Sequence, residues 1–291
     1  MEPLIISHGG AGSPIEFKDC TEKAAQKGFK VLGRADNALK AVIEAVIVLE
    51  DDFRFNAGTG SNLRLDGKTI EMDAAVMLSN GACGAVGAIK NVKNPVKVAA
   101  EVLKIPHVLL VGEHATKFAR KCGFKYYNPI TEKAVKKLED IKKKLKSGNL
   151  PKWAEKWRNF RYSRFLVGTV GAVARSSKEF AAAVSTGGTS LMLPGRVGDS
   201  AVIGAGIYAG KKGAVCTTGV GEEIIRNALA KTVYDKLEEL GSQEACEWGV
   251  KLLKKYPTGI IAVTKKGYGM ACSENMACTA MGKNFIKSGV R

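Results

Sequence analysis

The centre of the chain reads GTVGAVARSSKEFAAAVST, residues 168–186. Two apolar runs flank Ser177-Lys178, which predicts a hairpin with these residues at its two-residue turn. In that symmetric register Thr169 lies directly opposite Thr186. Opposed side chains have Cβ atoms about 4.5–5.5 Å apart, so the two hydroxyls can interact. Taken alone, this spacing favours an inert cross-strand threonine pair, which is common in sheets.

Further motifs surround this hairpin on both sides. They are His8-Gly9-Gly10-Ala11-Gly12, Phe55-Asn56-Ala57-Gly58-Thr59-Gly60, Ser185-Thr186-Gly187-Gly188, Pro194-Gly195-Arg196-Val197-Gly198-Asp199-Ser200 and Thr218-Gly219-Val220-Gly221-Glu222. With Gly168-Thr169, and in this order, they resemble the isoaspartyl peptidase/L-asparaginase (plant-type asparaginase) family. Members of that family are N-terminal nucleophile hydrolases, made as one chain that cuts itself before a threonine.

The resemblance implies an α+β fold, the four-layer αββα sandwich of these hydrolases. Two strand-helix blocks joined by a polar linker independently suggest two sheets between helical layers. The implied division is an α subunit, 1–168, with a basic linker over about 131–168, and a β subunit, 169–291. Together the subunits form one domain, and the family implies a dimer of processed units.

Cleavage between Gly168 and Thr169 would solve a chemical problem. A threonine hydroxyl is a poor nucleophile without an adjacent base. The α-amine released by cleavage has a reference pKa of about 7.7–8.0 and can accept the hydroxyl proton near neutral pH. Gly168 suits the bent backbone of an acyl shift, because it has no Cβ.

Arg196 and Asp199 lie in a turn bracketed by proline and glycine. A guanidinium binds a carboxylate through two parallel hydrogen bonds, and a carboxylate binds an ammonium. The two residues therefore suit the α-carboxylate and α-amine of a free aspartyl group. The alternative is a surface ion pair between them.

Thr218 and Gly219 follow a buried strand, and Gly221 begins a helix. A hydroxyl and a backbone N–H before a helix N-terminus can stabilise an oxyanion, although a simple strand-to-helix turn looks the same. The resemblance assigns the role of nucleophile to Thr169 and that of its hydroxyl partner to Thr186. It implies that Arg196 binds the substrate carboxylate and that Asp199 binds the substrate amine. The implied oxyanion donors are Thr218 and Gly219. The resemblance adds Gly221 and Asn56 to the substrate-binding residues and places Asn56 beside the nucleophile.

A sodium ion is a further implication of the resemblance. The matching loop can hold one through backbone carbonyls, here those of Leu49, Glu50, Asp52, Phe55, Ala57 and Thr59. No other cofactor is expected. Seven scattered cysteines without a CxxC pair do not predict a zinc site, and His8 is interpreted as a packed structural histidine.

The implied reaction is hydrolysis of L-asparagine to L-aspartate and ammonia, and of β-aspartyl (isoaspartyl) dipeptides, through a β-aspartyl-Thr169 ester. Glycosylasparaginase is an alternative with the same fold, but it usually has His-Asp where this chain has Val167-Gly168. Departures from the family pattern at Arg175, Met192, Ala201 and Val220 put substrate preference and cleavage rate in question.

The net charge of +17 is unevenly distributed. Residues 131–165 hold 12 Lys and Arg against 4 Asp and Glu. A basic nucleic-acid-binding protein is therefore a second class to consider, but the excess charge is concentrated in a linker and no interleaved aromatic readout motifs occur elsewhere in the sequence. No apolar run reaches the roughly 18 residues of a membrane span. A small-molecule substrate, no nucleic-acid or membrane partner and a cytoplasmic location are expected.

Hydrophobic periodicity predicts the local elements. It predicts helices over 36–50, 95–103, 131–146 and 221–240, and strands over 4–7, 72–78, 85–89, 107–111, 169–175, 179–186, 201–209 and 213–218, with a closing pair of strands within 259–273. The strand at 107–111 is expected to be buried, and the segment 131–165 to be solvated.

Overall fold

The computed structural model describes residues 1–146, 168–190 and 192–290. Their strands are β1 Leu4–His8, β2 Met72–Leu78, β3 Cys83–Ile89, β4 Leu109–Val111, β5 Val170–Arg175, β6 Phe180–Thr186, β7 Ile207–Gly210, β8 Gly213–Gly219, β9 Thr258–Thr264, β10 Tyr268–Cys272, β11 Met276–Gly282 and β12 Phe285–Val290. Their α-helices are α1 Lys18–Ala35, α2 Ala38–Asp51, α3 Pro95–Val102, α4 Gly112–Lys121, α5 Glu132–Lys146, α6 Gly221–Arg226, α7 Leu229–Leu240 and α8 Ser242–Leu252.

In this part of the chain the strands form two sheets. The larger has the order β12-β11-β1-β5-β6-β2-β3-β4, and the smaller has the order β10-β9-β8-β7. The hairpin predicted at the centre of the chain is β5-β6. Val170 pairs with Ser185 and Arg175 with Phe180, and the N–H of Ser176 donates to the carbonyl of Glu179 at 2.9 Å. The predicted register is confirmed.

Alternating side chains of the large sheet serve two cores, because successive Cβ atoms point to opposite faces of a strand. Leu4 and Ile6 of β1 pack against the small sheet, whereas Ile5 packs against α1 and α2. Strand β6 repeats this division, with Val184 between the sheets and Ala183 under the helices. Helices therefore cover the outer face of the large sheet.

Helices α7 and α8 cover the outer face of the small sheet. Val233 and Leu237 of α7 and Cys246 of α8 lie in one buried cluster with Val215 and Ile260 of the strands. The layers are thus helix, sheet, sheet and helix, which confirms the predicted αββα sandwich.

Several local predictions are confirmed. The helix predicted over 36–50 is α2, and the side chain of Asn37 caps it by accepting from the N–H of Lys40 at 2.7 Å. Helix α3 begins at Pro95 as predicted, and β2 and β3 lie where their apolar runs indicated.

Other local predictions are wrong. The helix predicted over 221–240 is two helices, because Ala228 adopts a left-handed conformation with φ 41° between them. The strand predicted over 201–209 begins only at Ile207 and is β7, since Asp199–Ala201 forms a 3-10 turn. The strand at Leu109–Val111 is not buried, because it is the edge strand of the large sheet.

Periodicity also missed elements that the tertiary structure stabilises. Helix α1 buries small residues such as Ala24 and Ala25 among many lysines, so its apolar face is weak in the sequence. Strands β11 and β12 extend the large sheet beyond β1, where β11 pairs antiparallel with β1.

Helix α5 shows that the basic segment is not uniformly solvated. Its residues Ala134, Leu138 and Ile141 are buried, and the first two lie in the core cluster beneath β2 and β3. The predicted helix is confirmed, but its apolar side is docked on the body of the protein. Residues 147–167, including the rest of the predicted linker, lie outside the described residues.

No helix in the described part of the chain is both long and apolar enough to cross a membrane.

Candidate active site

The peptide bond before Thr169 lies at the entrance to β5, where two side chains bind its carbonyl oxygen. The hydroxyl of Thr186 donates to the Gly168 oxygen at 2.6 Å, and Nδ2 of Asn56 donates to the same oxygen at 2.8 Å. The Thr169 side chain is buried, and its Oγ1 lies 3.4 Å from Oγ of Ser200. The carbonyl is thus polarised beside a buried hydroxyl.

The sequence predicted an interaction between the hydroxyls of Thr169 and Thr186, and the structure gives each hydroxyl another partner. The predicted register is present, but the Thr186 hydroxyl binds the Gly168 carbonyl and accepts from the N–H of Gly188 at 3.0 Å. Ser200 is the residue that meets the Thr169 hydroxyl. The sequence placed Ser200 in a motif but gave no signal of this contact, because 31 residues separate the two.

Asn56 is held in one orientation by its neighbours. Its Oδ1 accepts from the backbone N–H of Asn62 at 2.9 Å, and its Nδ2 also donates to the Gly188 carbonyl at 2.6 Å. The loop that carries it closes tightly at Gly60, where a Cβ would lie 1.9 Å from the Phe55 carbonyl oxygen. Nothing in the sequence indicated Asn62, because it contacts the Gly168 carbonyl only indirectly, by orienting the Asn56 side chain.

Asp199 and Arg196 lie together in the site but do not form the ion pair considered from the sequence. Arg196 donates to Oε1 of Glu222 from Nε at 3.0 Å and from Nη2 at 2.9 Å. Asp199 is buried, and its Oδ2 has no hydrogen-bond partner among the described residues. Burial raises the pKa of Asp199 to about 7, opposed by the charge of Arg196. An incoming ammonium would satisfy this carboxylate.

Thr218 and Gly219 end strand β8 where the sequence predicted. Oγ1 of Thr218 accepts from the N–H of Ala11 at 3.2 Å, which leaves the hydroxyl proton for another acceptor. Gly219 has φ 146°, and a Cβ there would lie 2.1 Å from the Pro257 carbonyl oxygen. A Cβ on Gly221 would lie 2.7 Å from Oδ1 of Asp199, so glycine permits the close approach of that carboxylate.

These groups converge on a small cavity. It is lined by Gly168, Thr169, Thr186, Gly188, Thr189, Arg196, Asp199, Gly219 and Gly221. Its volume is only about 10 Å³, which is close to the space that one water needs. Gly168 forms part of the cavity wall, so little space is left beside Thr169.

The loop implied to hold sodium has features that suit a cation. The carbonyls of Leu49 and Glu50 belong to the last turn of α2, where a helix leaves its carbonyls without intrahelical partners. In the same loop, the ammonium of Lys133 donates to the Phe53 carbonyl at 3.2 Å and to the Arg54 carbonyl. Within the described residues no group of three or more His, Cys, Asp and Glu could hold a metal. Any ion here would depend on backbone oxygens.

His8 is fully buried, and its Nδ1 accepts from the N–H of Gly10 at 3.2 Å. Burial lowers its pKa to about 3, so the imidazole is neutral. A Cβ on Gly171 would lie 2.5 Å from its Nε2, which shows how tightly the ring packs against β5. These contacts support its interpretation as a structural residue.

The sequence model described as asparaginase matches residues 1–289. The chain belongs to the asparaginase family. It is 45% identical over 277 residues to a plant-type L-asparaginase of Pyrococcus horikoshii, with 90% of each chain covered. It is 44% identical to the plant-type L-asparaginase of Pyrococcus furiosus, over 99% of this chain and 97% of that protein. An isoaspartyl peptidase/L-asparaginase of Xenopus laevis is 42% identical, over 89% and 84% respectively.

Membership of the asparaginase family makes the protein a hydrolase and its sandwich that of the N-terminal nucleophile hydrolases. The departures from the family pattern can now be located. Arg175 lies at the far end of β5, where its guanidinium binds the carbonyls of Glu2 and Lys265 at 2.7 and 3.0 Å. Sδ of Met192 lies 3.9 Å from Nη1 of Arg196. Of these two, Met192 lies closer to the substrate-binding groups.

Proposed function

We propose that this protein is a self-cleaving threonine hydrolase that acts on L-asparagine and β-aspartyl dipeptides. The observation that carries the proposal is the Gly168 carbonyl, bound by Thr186 and Asn56 directly before a buried Thr169. The names of the relatives, plant-type L-asparaginase and isoaspartyl peptidase/L-asparaginase, support the two substrate classes.

Self-cleavage begins with attack of Thr169 Oγ1 on the carbonyl carbon of Gly168. The oxygen becomes negative, and the donors Thr186 and Asn56 stabilise it. Breaking the C–N bond transfers the acyl group from nitrogen to Oγ1 and gives an ester. The proton of the Thr169 hydroxyl ends on the leaving nitrogen, which becomes the free α-amine of Thr169. Water then hydrolyses the ester, leaving a carboxylate on Gly168 and the free threonine hydroxyl.

The mature reaction uses the new α-amine as its base. The amine accepts the proton of Thr169 Oγ1, which attacks the β-carbonyl of the substrate, while Thr218 and the Gly219 N–H donate to the oxyanion. The leaving nitrogen takes a proton and departs as ammonia or as an amino acid. Water then hydrolyses the β-aspartyl ester and regenerates Thr169.

Substrate recognition is assigned to two charged side chains. Oδ2 of Asp199, which has no hydrogen-bond partner among the described residues, would bind the α-ammonium, and Arg196 would bind the α-carboxylate once it leaves Glu222. Gly221 leaves room for both side chains. Binding of two opposite charges at a fixed separation would select a free aspartyl group over a blocked one.

The remaining features of the proposal concern assembly. The processed units are proposed to associate as a dimer, with no nucleic-acid or membrane partner. A structural sodium ion is proposed at the carbonyls of Leu49, Glu50, Asp52, Phe55, Ala57 and Thr59, where it would fix the loop before Asn56. A cytoplasmic location stays a prediction.

Intact mass spectrometry tests the proposal. The purified protein should yield a C-terminal fragment of 123 residues, since 291 minus 168 is 123, beginning at Thr169. Thr169→Ala should remain full-length and should not release ammonia from L-asparagine. A Thr169→Ala protein that still cleaves before residue 169 would contradict the proposal.

A further inference from the structure

Lys137 of helix α5 is a cation in an unusual position. Its Nζ donates to Oδ1 of Asn62, and no described carboxylate forms an ion pair with it. Burial lowers the pKa of Lys137 to about 7, and the nearby charge of Lys133 lowers it further. Lys137 is half-buried, and partial removal of an ammonium from water without a carboxylate partner is costly, so the contact with Asn62 needs an explanation.

Asn62 links Lys137 to the Asn56 side chain beside the bond before Thr169. Its backbone N–H donates to Oδ1 of Asn56 at 2.9 Å, and its side-chain Nδ2 donates to the Gly188 carbonyl at 2.9 Å. An asparagine amide presents an acceptor at one end and a donor at the other. Because Asn62 binds the acceptor end of Asn56, the donor end faces the carbonyl oxygens of Gly168 and Gly188.

The same four residues share one cavity. Asn56, Asn62, Lys137 and Gly168 line a cavity of about 270 Å³, and neither Asp nor Glu is among its described lining residues. The basic side chains in this lining, Lys133 and Lys137 among them, favour negative charge at the site. Negative charge develops on the Gly168 oxygen during self-cleavage.

We propose that Lys137 is a positioning residue for self-cleavage, which holds Asn62 and, through it, the Asn56 amide that donates to the Gly168 carbonyl. This inference rests on the proposed function, since it assumes that the bond before Thr169 is cut. It places part of the cleavage apparatus on α5, a helix of the basic segment upstream of the cleavage site.

A second contact joins helix α5 to the loop that carries Asn56. The ammonium of Lys133 donates to the carbonyls of Phe53 and Arg54, two residues that precede Asn56. Helix α5 is therefore attached both before Asn56, at the loop, and after it, at Asn62. The two charged groups assigned to substrate binding, Arg196 and Asp199, make no described contact with α5. The effect of Lys137 should therefore be larger on maturation than on turnover.

The experiment compares variants of the full chain by the rate of appearance of the fragment that begins at Thr169. Lys137→Met should slow self-cleavage by about 10–100-fold, the range expected for a lost charged hydrogen bond. Lys143→Met removes the same charge from an exposed position of α5 and should cleave at the wild-type rate. Lys137→Arg, which keeps a charged donor, should restore most of the rate.

Turnover per cleaved site distinguishes positioning from general damage. Once cleaved, Lys137→Met should hydrolyse L-asparagine with kcat and KM close to wild type, whereas misfolding would lower both the cleavage rate and turnover. Lys137→Gln, which keeps a donor without the charge, serves as a second variant if Lys137→Met does not fold. It should slow cleavage less than Lys137→Met.

Failure of this inference differs from failure of the proposed function. If the wild-type chain never cleaves before Thr169, the proposed function is wrong. If the wild type cleaves and Lys137→Met cleaves equally fast, or if Lys143→Met slows cleavage as much, the role of Lys137 is overturned. A fall in turnover per cleaved site equal to the fall in cleavage rate would also overturn it.

Discussion

The hydroxyl of Thr186 donates to the carbonyl oxygen of Gly168 at 2.6 Å, although the hairpin register, continued past Val170, places Thr169 opposite it. The chain leaves the ladder before Val170, so the carbonyl of residue 168 lies within reach of the opposite strand. A hydroxyl on β6 is thus directed at the peptide bond before Thr169. The same hydroxyl would face the new α-amine once Gly168 has left.

Removal of this hydroxyl should slow maturation. Thr186→Val keeps the shape of the side chain but loses the donor, so we expect self-cleavage to slow by about 10²–10³-fold, as for the loss of one oxyanion donor. The appearance of the 123-residue fragment, from 291 minus 168, measures the rate. Thr116→Val, which loses a hydroxyl bond to the Gly112 carbonyl in α4, is the control. Equal rates for both variants would argue against a role for Thr186.

Replacement of Asp199 should weaken substrate binding more than it alters the chemical step. Asp199→Asn keeps the volume but cannot pair with an ammonium, so KM for L-asparagine should rise by about 10–100-fold. Steady-state kinetics on fully cleaved protein give the measurement. Asp235→Asn, at an exposed carboxylate that pairs with Lys231, should leave KM unchanged. An unchanged KM for Asp199→Asn would exclude the assigned role.

The pH dependence of KM should report Asp199. The pKa of its carboxyl is raised to about 7 mainly by burial, while Arg196 lowers it and the carboxylates of Asp73 and Glu222 raise it. Below pH 7 the group is neutral and cannot bind the substrate ammonium, so KM should fall as pH rises from 6 to 8. Asp199→Asn should remove this dependence. Folding stability has the opposite dependence on pH. Because the pKa of Asp199 is higher in the folded than in the unfolded chain, its contribution to the free energy of unfolding is lost as pH rises toward 7.

Glu222 should compete with the substrate for Arg196. Its Oε1 accepts two hydrogen bonds from the guanidinium, and these must be broken or shared when a substrate carboxylate arrives. Glu222→Gln weakens the competitor, so KM for L-asparagine should fall by several-fold with kcat little changed. Glu239→Gln, at an exposed ion pair with Lys236, is the matched control. A higher KM in Glu222→Gln would instead mean that Glu222 orients Arg196.

Two glycine substitutions should have opposite consequences. Gly10 has φ 105°, and a Cβ there would lie 3.0 Å from the backbone N and O of Thr169, so Gly10→Ala should displace the scissile bond and slow self-cleavage. Gly33 lies in α1 with no atom within 4 Å of its Cβ position. Gly33→Ala should therefore raise the free energy of unfolding by about 0.5–1 kcal/mol without affecting cleavage. Urea denaturation and the cleavage assay distinguish these effects.

Local sequence patterns predicted much of the site's framework. The turn at Ser177-Lys178 fixes the pairing of β5 with β6, because a two-residue hairpin allows only one symmetric register. The caps and periodicity of α2 likewise depend on residues close in sequence, and both were predicted correctly. The order of the motifs was sufficient to indicate the asparaginase family.

Local sequence patterns could not predict contacts between distant segments of the chain. Asn56 and Gly168 are 112 residues apart, Lys137 and Asn62 are 75 apart, and no periodicity relates either pair. The partner of Arg196 also depended on the position of α6, which brings Glu222 to the guanidinium. Short-range propensities fix turns, caps and strand register, whereas packing of the layers determines which buried polar groups meet. The amino-acid sequence thus predicted Thr169 as the reacting residue, and only the packed fold determined which side chains bind the carbonyl before it.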